Sequence, residues 1–163
     1  MIQVTVENQN KKRAVDLLKI ERLAKKVLRT EGKKNAVLTI VFLSNQKIRA
    51  LNRAYLGKDR ATDVLAFPNK NKQQKNVSRA FPEDLVLMKQ KRRIRAEKIF
   101  GDIAISSDKA FSNAKVFKTS FEKEINLYVI HGVLHLLGYC DKSEKKRVLM
   151  RKKENEFMRE TKK

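Results

Sequence analysis

The chain has 163 residues with 39 Lys and Arg against 18 Asp and Glu, two His and a single Cys, for a formal net charge of +21. That length suits one domain, 1–163, with a sizeable core. The apolar runs are too short to span a bilayer and no secretory pattern is visible, so a membrane protein is excluded and a cytoplasmic location is expected. The lone Cys140 excludes an internal disulfide and suits a reducing compartment. So basic a chain repels itself unless a polyanion neutralises it, which points to nucleic acid; the alternative is charge that merely solvates the surface. With three Tyr, eight Phe and no Trp, base-stacking platforms are not expected, which favours recognition of backbone and shape.

Ile2–Val6 alternates apolar and polar residues and reads as a strand, followed by a turn at Asn8–Asn10. From Ala14 to Thr30 apolar residues at Leu17, Leu18, Ile20, Leu23, Ala24, Val27 and Leu28 keep helical spacing, and Gly32 stops the helix. Ala36–Leu43 is a β-branched, apolar run expected to be a buried strand. Ser44 is placed to cap a helix over Gln46–Tyr55. Gly57–Asp63 is a polar loop, and Val64–Phe67 a short strand ended by Pro68.

Residues 69–98 read as a basic insertion: Asn69–Asn76 lacks periodicity, and Lys89–Arg95, with Arg92 and Arg93, is a dense cationic run. It is either a phosphate-binding patch or a solvated helix. Phe100–Ser106 resumes a strand, and Ser106 or Ser107 caps a helix to Val116. Ser120 caps the next helix, with Glu122 and Glu124 near its positive end. This helix is apolar on nearly every side and is expected to be central and buried. Ser143 to about Arg159 is a basic amphipathic helix expected to pack through Val148, Met150 or Leu149, Phe157 and Met158. The sum is an α+β fold with about four strands and five or six helices.

Both histidines lie on the buried helix, four residues apart, so His131 and His135 share one face. Gly138 is placed to end the helix, and Asp141 follows three residues later. Two neutral imidazoles on a stiff turn and a returning carboxylate form a zincin-like arrangement able to hold a divalent metal, one Zn2+ per chain. The alternative for the pair is core packing. Asp141-Lys142-Ser143-Glu144 has the spacing of a capping box, so Asp141 either ligates the metal or starts the last helix. Gly132 stands where His-Glu-x-x-His peptidases carry their general base, which disfavours a peptidase. Metal-assisted hydrolysis of a phosphodiester fits the basic surface better.

The stretch from His131 through His135 to Tyr139 resembles the signature of the YbeY family of endoribonucleases. Leu51-Asn52-Arg53-Ala54-Tyr55 with Gly57-Lys58-Asp59, then Thr62 to Pro68, resembles its second signature, and Gly101 to Ser106 its third. The resemblance runs from about Leu51 to Met158. It implies a mixed four-stranded sheet packed by helices. It also implies a zinc-dependent, single-strand-specific endoribonuclease that acts in maturation of the 16S rRNA 3′ end and in ribosome quality control. Its partners would be ribosomal RNA and the small ribosomal subunit, with no DNA expected. His131, His135 and Asp141 would hold the metal, His131 doubling as a catalytic residue, and Thr62 and Asp63 would organise the cleft.

Two departures stand out. Where the family continues Asp-His after Gly-Tyr, this chain has Cys140-Asp141, so the third family histidine falls on Asp141. An arginine associated with activity falls on Leu56, leaving Arg60 or Lys58 as candidate cations of the same loop. Lys58, Arg60, Arg92 and Arg93 are the candidate RNA-binding residues. The competing reading is a catalytically weakened, ribosome-associated assembly factor.

Overall fold

A computed structural model describes residues 1–68 and 99–161. The expected basic insertion at 69–98, with Arg92 and Arg93, lies outside the described residues. Four strands, β1 (Ile2–Asn8), β2 (Ala36–Leu43), β3 (Val64–Pro68) and β4 (Ile99–Ser106), form one mixed sheet in the order β1-β2-β4-β3. β1 and β4 run parallel to β2, and β3 runs antiparallel to β4. Five helices are described: α1 (Leu17–Thr30), α2 (Asn45–Leu56), α3 (Ser107–Val116), α4 (Phe121–Leu136) and α5 (Glu144–Glu160). The architecture is α+β with a mixed four-stranded sheet, as the sequence and the resemblance both indicate.

β2 is interior and covered on both faces, which its unbroken apolar run requires. Every residue from Leu38 to Leu43 is buried. Leu38, Ile40, Phe42, Ile103 and Ile105 face the main core, shared with α1 and α4. Val41, Leu43, Leu65 and Ala104 face the other way and meet Ile48 and Leu51 of α2 in a second, smaller core. This alternation is the period-two geometry of a strand.

Cap chemistry sets the helix starts. Side-chain oxygens of Asp16, Ser44, Ser106, Ser120 and Ser143 each accept the backbone N–H three residues on, satisfying a donor that the first turn leaves unpaired. Asp16 corrects the expected start of α1: the helix begins at Leu17 rather than Ala14. Leu18 is correspondingly exposed, at 64 %, because it points away from the face formed by Ile20, Leu23, Ala24, Val27 and Leu28. On α5, Met150 and Phe157 are buried but Val148 and Leu149 are not, so the helix packs through a narrower stripe than expected.

α4 lies directly on the sheet, and two glycines permit the approach. A Cβ on Gly132 would sit 2.8 Å from Ile103 Cγ2 and 3.2 Å from Val64 Cγ1. One on Gly101 of β4 would sit 2.7 Å from the Phe67 carbonyl oxygen and 2.8 Å from Leu136 Cδ2. A real Cβ does not come within 3.0 Å of such atoms, so a side chain at either position would force Ile103, Leu136 or the Phe67 backbone to shift.

Candidate metal centre

α4 carries His131 and His135 one turn apart, and its buried apolar surroundings fix the backbone that presents them. Among its residues, Ile125, Tyr128, Val129, Ile130, Val133 and Leu134 are all buried. The helix ends where Gly138 adopts φ +101°, a conformation cheap only for glycine. The N–H groups of Leu137, Gly138 and Tyr139 turn back onto carbonyls of the last turn. This reversal brings Asp141 over the histidines. One ligand atom from each of His131, His135 and Asp141 falls within a cluster no wider than 4.8 Å.

The alternative role for Asp141 does not hold. Ser143 is the N-cap of α5, its hydroxyl accepting the Lys146 N–H. Asp141 precedes the helix and its carboxylate is exposed, available to a metal.

The imidazoles are oriented by their outer nitrogens. His131 Nδ1 lies 2.6 Å from Oε1 of Glu154, on α5, and His135 Nδ1 lies 3.1 Å from the Tyr139 carbonyl oxygen. A carbonyl and a carboxylate accept, so both Nδ1 atoms carry the proton and donate. Each neutral ring then directs its Nε2 lone pair inward, and the two Nε2 atoms are 2.9 Å apart. At that distance the rings either share a proton, with a charged His131 donating Nε2–H to His135, or offer both lone pairs to a bound cation. The donor set therefore fits a divalent metal, with the Glu154–His131 pair in the place of the acceptors that commonly fix metal-bound histidines.

Electrostatics separates the two rings. Burial pulls His131 down, but the Glu154 hydrogen bond and charge, with Asp63 and Asp141, outweigh it and hold His131 above its ordinary value. Burial and the neighbouring His131 hold His135 below its ordinary value, against Asp141, the Tyr139 carbonyl and Glu154. His131 thus holds a second proton better than His135, and a metal must displace that proton to bind.

Asp63 belongs to the surroundings of the site through its charge on His131 and on Tyr128. Tyr128 sits one turn before His131; burial, chiefly, pushes its phenol up to about 12, and the phenol oxygen accepts a hydrogen bond from Asn113 at 2.6 Å. Asp63 also makes the local turn contacts open to it in the sequence, accepting the Thr62 hydroxyl at 3.1 Å and the Val64 N–H at 2.9 Å. Lys58 and Arg60 are exposed in the preceding loop. Among the described residues, no hydrogen bond or ion pair joins either of them to the histidines. Cys140 is a partly buried free thiol, and Leu56 is 57 % exposed.

Sequence reasoning missed Glu154 and the Tyr139 carbonyl. The first was legible only as one acid in a run of lysines; the second is a backbone atom with no sequence signal at all. Gly132, noted for lacking a carboxylate, is instead a packing residue: any side chain there would strike Ile103 and crowd Val64.

Comparison with known proteins follows the same lines. A family model described as "Endoribonuclease YbeY" matches residues 5–162. A protein of that name from Thermoanaerobacter sp. (strain X514) is 33 % identical over 162 residues, covering 96 % of both chains. Another from Caldanaerobacter subterraneus subsp. tengcongensis is 34 % identical over 164 residues, also 96 % of both. The solution structure of TM1509 from Thermotoga maritima superposes with a TM-score of 0.59 at 26 % identity, covering 97 % of this chain and 87 % of that one. With the match spanning nearly the whole sequence, the chain belongs to the YbeY endoribonuclease family.

Proposed function

We propose that the protein is a zinc-dependent endoribonuclease that cuts single-stranded ribosomal RNA in the cytoplasm, in maturation of the 16S 3′ end and in ribosome quality control. The observation that carries the metal dependence is the convergence of one ligand atom each from His131, His135 and Asp141 within 4.8 Å, with both Nδ1 atoms committed to acceptors. His131, His135 and Asp141 would hold the ion. Two nitrogens and a carboxylate are a donor set zinc accepts, and three protein ligands are the number found in catalytic zinc sites. When bound, zinc lowers the pKa of a coordinated water towards neutrality and polarises a phosphoryl oxygen.

The chain's own residues supply the rest. Glu154 and the Tyr139 carbonyl keep the imidazoles in the tautomer that offers Nε2 inward. Asp63 adds negative charge beside His131. The net charge of +21 attracts the polyanion, and the scarcity of aromatic residues favours contact through phosphates.

A second reading, an assembly factor with weakened hydrolysis, is favoured by Leu56 and Asp141, which replace an arginine and a histidine of the family pattern. One experiment separates the two. Purified protein is assayed for bound zinc and for cleavage of a single-stranded ribosomal RNA fragment, alongside His131→Ala and His135→Ala. About one zinc per chain, with cleavage lost in both variants, supports the nuclease. Zinc in the wild type, with cleavage identical in the variants, supports the assembly factor.

A further inference from the structure

Beside the metal centre lies a cleft of about 530 Å³ lined by Asn45, Arg60, Thr62, Asp63, Lys109 and Asn113. Its walls come from three elements: the start of α2, the loop before β3, and the first two turns of α3. Two of its residues tie it to the metal centre. Asp63 acts by charge on His131, and Asn113 donates to the phenol of Tyr128, on the same helical face as His131.

The cations of this region divide into two sets. Arg49 is committed to Asp59 through two hydrogen bonds of 2.9 and 3.0 Å. Arg13 lies 3.6 Å from Asp108 and over the Phe111 ring. Arg60 and Lys109, by contrast, have no ion-pair partner among the described residues, although both line the cleft. Among the described residues the one acid lining it is Asp63, which has an oxygen engaged by Thr62 and the Val64 N–H. Two uncommitted cations with amide side chains at their flanks match a phosphodiester, which offers charge and several acceptor oxygens.

We infer that the Arg60–Lys109 cleft binds a backbone phosphate of the RNA next to the one cut at the metal centre, and so sets the strand's register over the histidines. This rests on the metal-dependent reading above and deepens it, since Lys109 and Asn113 match none of the family signatures quoted for this chain. Arg60 here is a binding residue that positions the strand; among the described residues no hydrogen bond or ion pair joins it to the histidines.

The test is binding of a labelled single-stranded oligouridylate to the zinc-loaded protein across a salt series, read before gel analysis shows any of it cut. Wild type is compared with Arg60→Ala, Lys109→Ala, Lys109→Arg and Arg22→Ala, the last an exposed cation on α1. The expected result is a several-fold weaker affinity in Arg60→Ala and Lys109→Ala. The slope of log K against log salt should become shallower by about 0.7 for each phosphate no longer neutralised, and Lys109→Arg should recover most of both. If Arg60→Ala and Lys109→Ala behave like Arg22→Ala, the cleft is not a phosphate site, and the metal-dependent reading stands or falls separately on zinc content and cleavage. A wild type that does not bind the oligonucleotide overturns the subsite whatever its zinc content.

Discussion

Glu154, nearly three turns into α5, holds His131 of α4 through a 2.6 Å contact to Nδ1. The carboxylate is 14 % exposed, so water does little to weaken the interaction. A carboxylate on the outer nitrogen of a ligating imidazole fixes ring and tautomer and strengthens the donor. Glu154→Gln keeps the size and removes the charge. It is expected to lower zinc affinity about 10- to 100-fold, measured by competition with a chromophoric chelator. Unchanged affinity with a lowered melting temperature would assign Glu154 to holding α5 against α4 only.

Asp141 is separable from the fold, because Ser143 and not Asp141 caps α5. Asp141→His restores the donor of the family pattern without disturbing a helix start. A softer imidazole in place of an exposed carboxylate should bind zinc more tightly, with the urea midpoint of the metal-free protein unchanged. If zinc affinity does not move, Asp141 is not a ligand.

Gly132 links site and scaffold. Gly132→Ala places a methyl group 2.8 Å from Ile103 Cγ2, 3.1 Å from Ile103 Cδ1 and 3.2 Å from Val64 Cγ1. Ile103 is 1 % exposed and has little room to yield. The expected cost is about 1–3 kcal/mol of stability from overpacking, with lowered zinc affinity as α4 lifts from β3 and β4. Equal stability of variant and wild type in urea would show that the sheet gives way more easily than its packing implies.

The legible part of this protein was the part governed by local pattern. Buried β2 announced itself through an unbroken apolar run, α4 through apolar residues on every side, and the histidine pair through four-residue spacing. The failures lay where tertiary contact decides. Leu18 sits in an apolar run, but only the packing of α1 shows that it points to solvent. Val148 looks like core until Met150 and Phe157 prove sufficient to seat α5. Asp141 and Ser143 offered two ways to start one helix, and spacing did not choose between them. Glu154 reaches His131 across 23 residues of sequence, a distance over which periodicity carries no information. Lys109 and Arg60 meet at one cleft only because α3 and the loop before β3 are brought together by pairing of β3 with β4.

Asp108, in the first turn of α3, anchors three segments at once. One carboxylate oxygen accepts from Asn10 Nδ2 at 3.0 Å and lies 3.6 Å from Arg13 Nε, while the other accepts the backbone N–H of Asn45 at 3.0 Å. Burial raises its pKa, but the Asn45 N–H, Asn10 and Arg13 together outweigh that and hold it below the ordinary 3.8. A carboxylate depressed in the folded state contributes stability that is present above its unfolded value and lost as pH falls through the folded one. Asp108→Asn is therefore expected to cost about 1–2 kcal/mol near neutral pH through weakened hydrogen bonds. The gap between variant and wild type should narrow as pH drops below 3.8. Urea midpoints of the two proteins at about pH 7 and about pH 3 read this directly. A gap of constant size across that range would mean that shape, and not the charge of Asp108, ties α3 to the ends of β1 and β2.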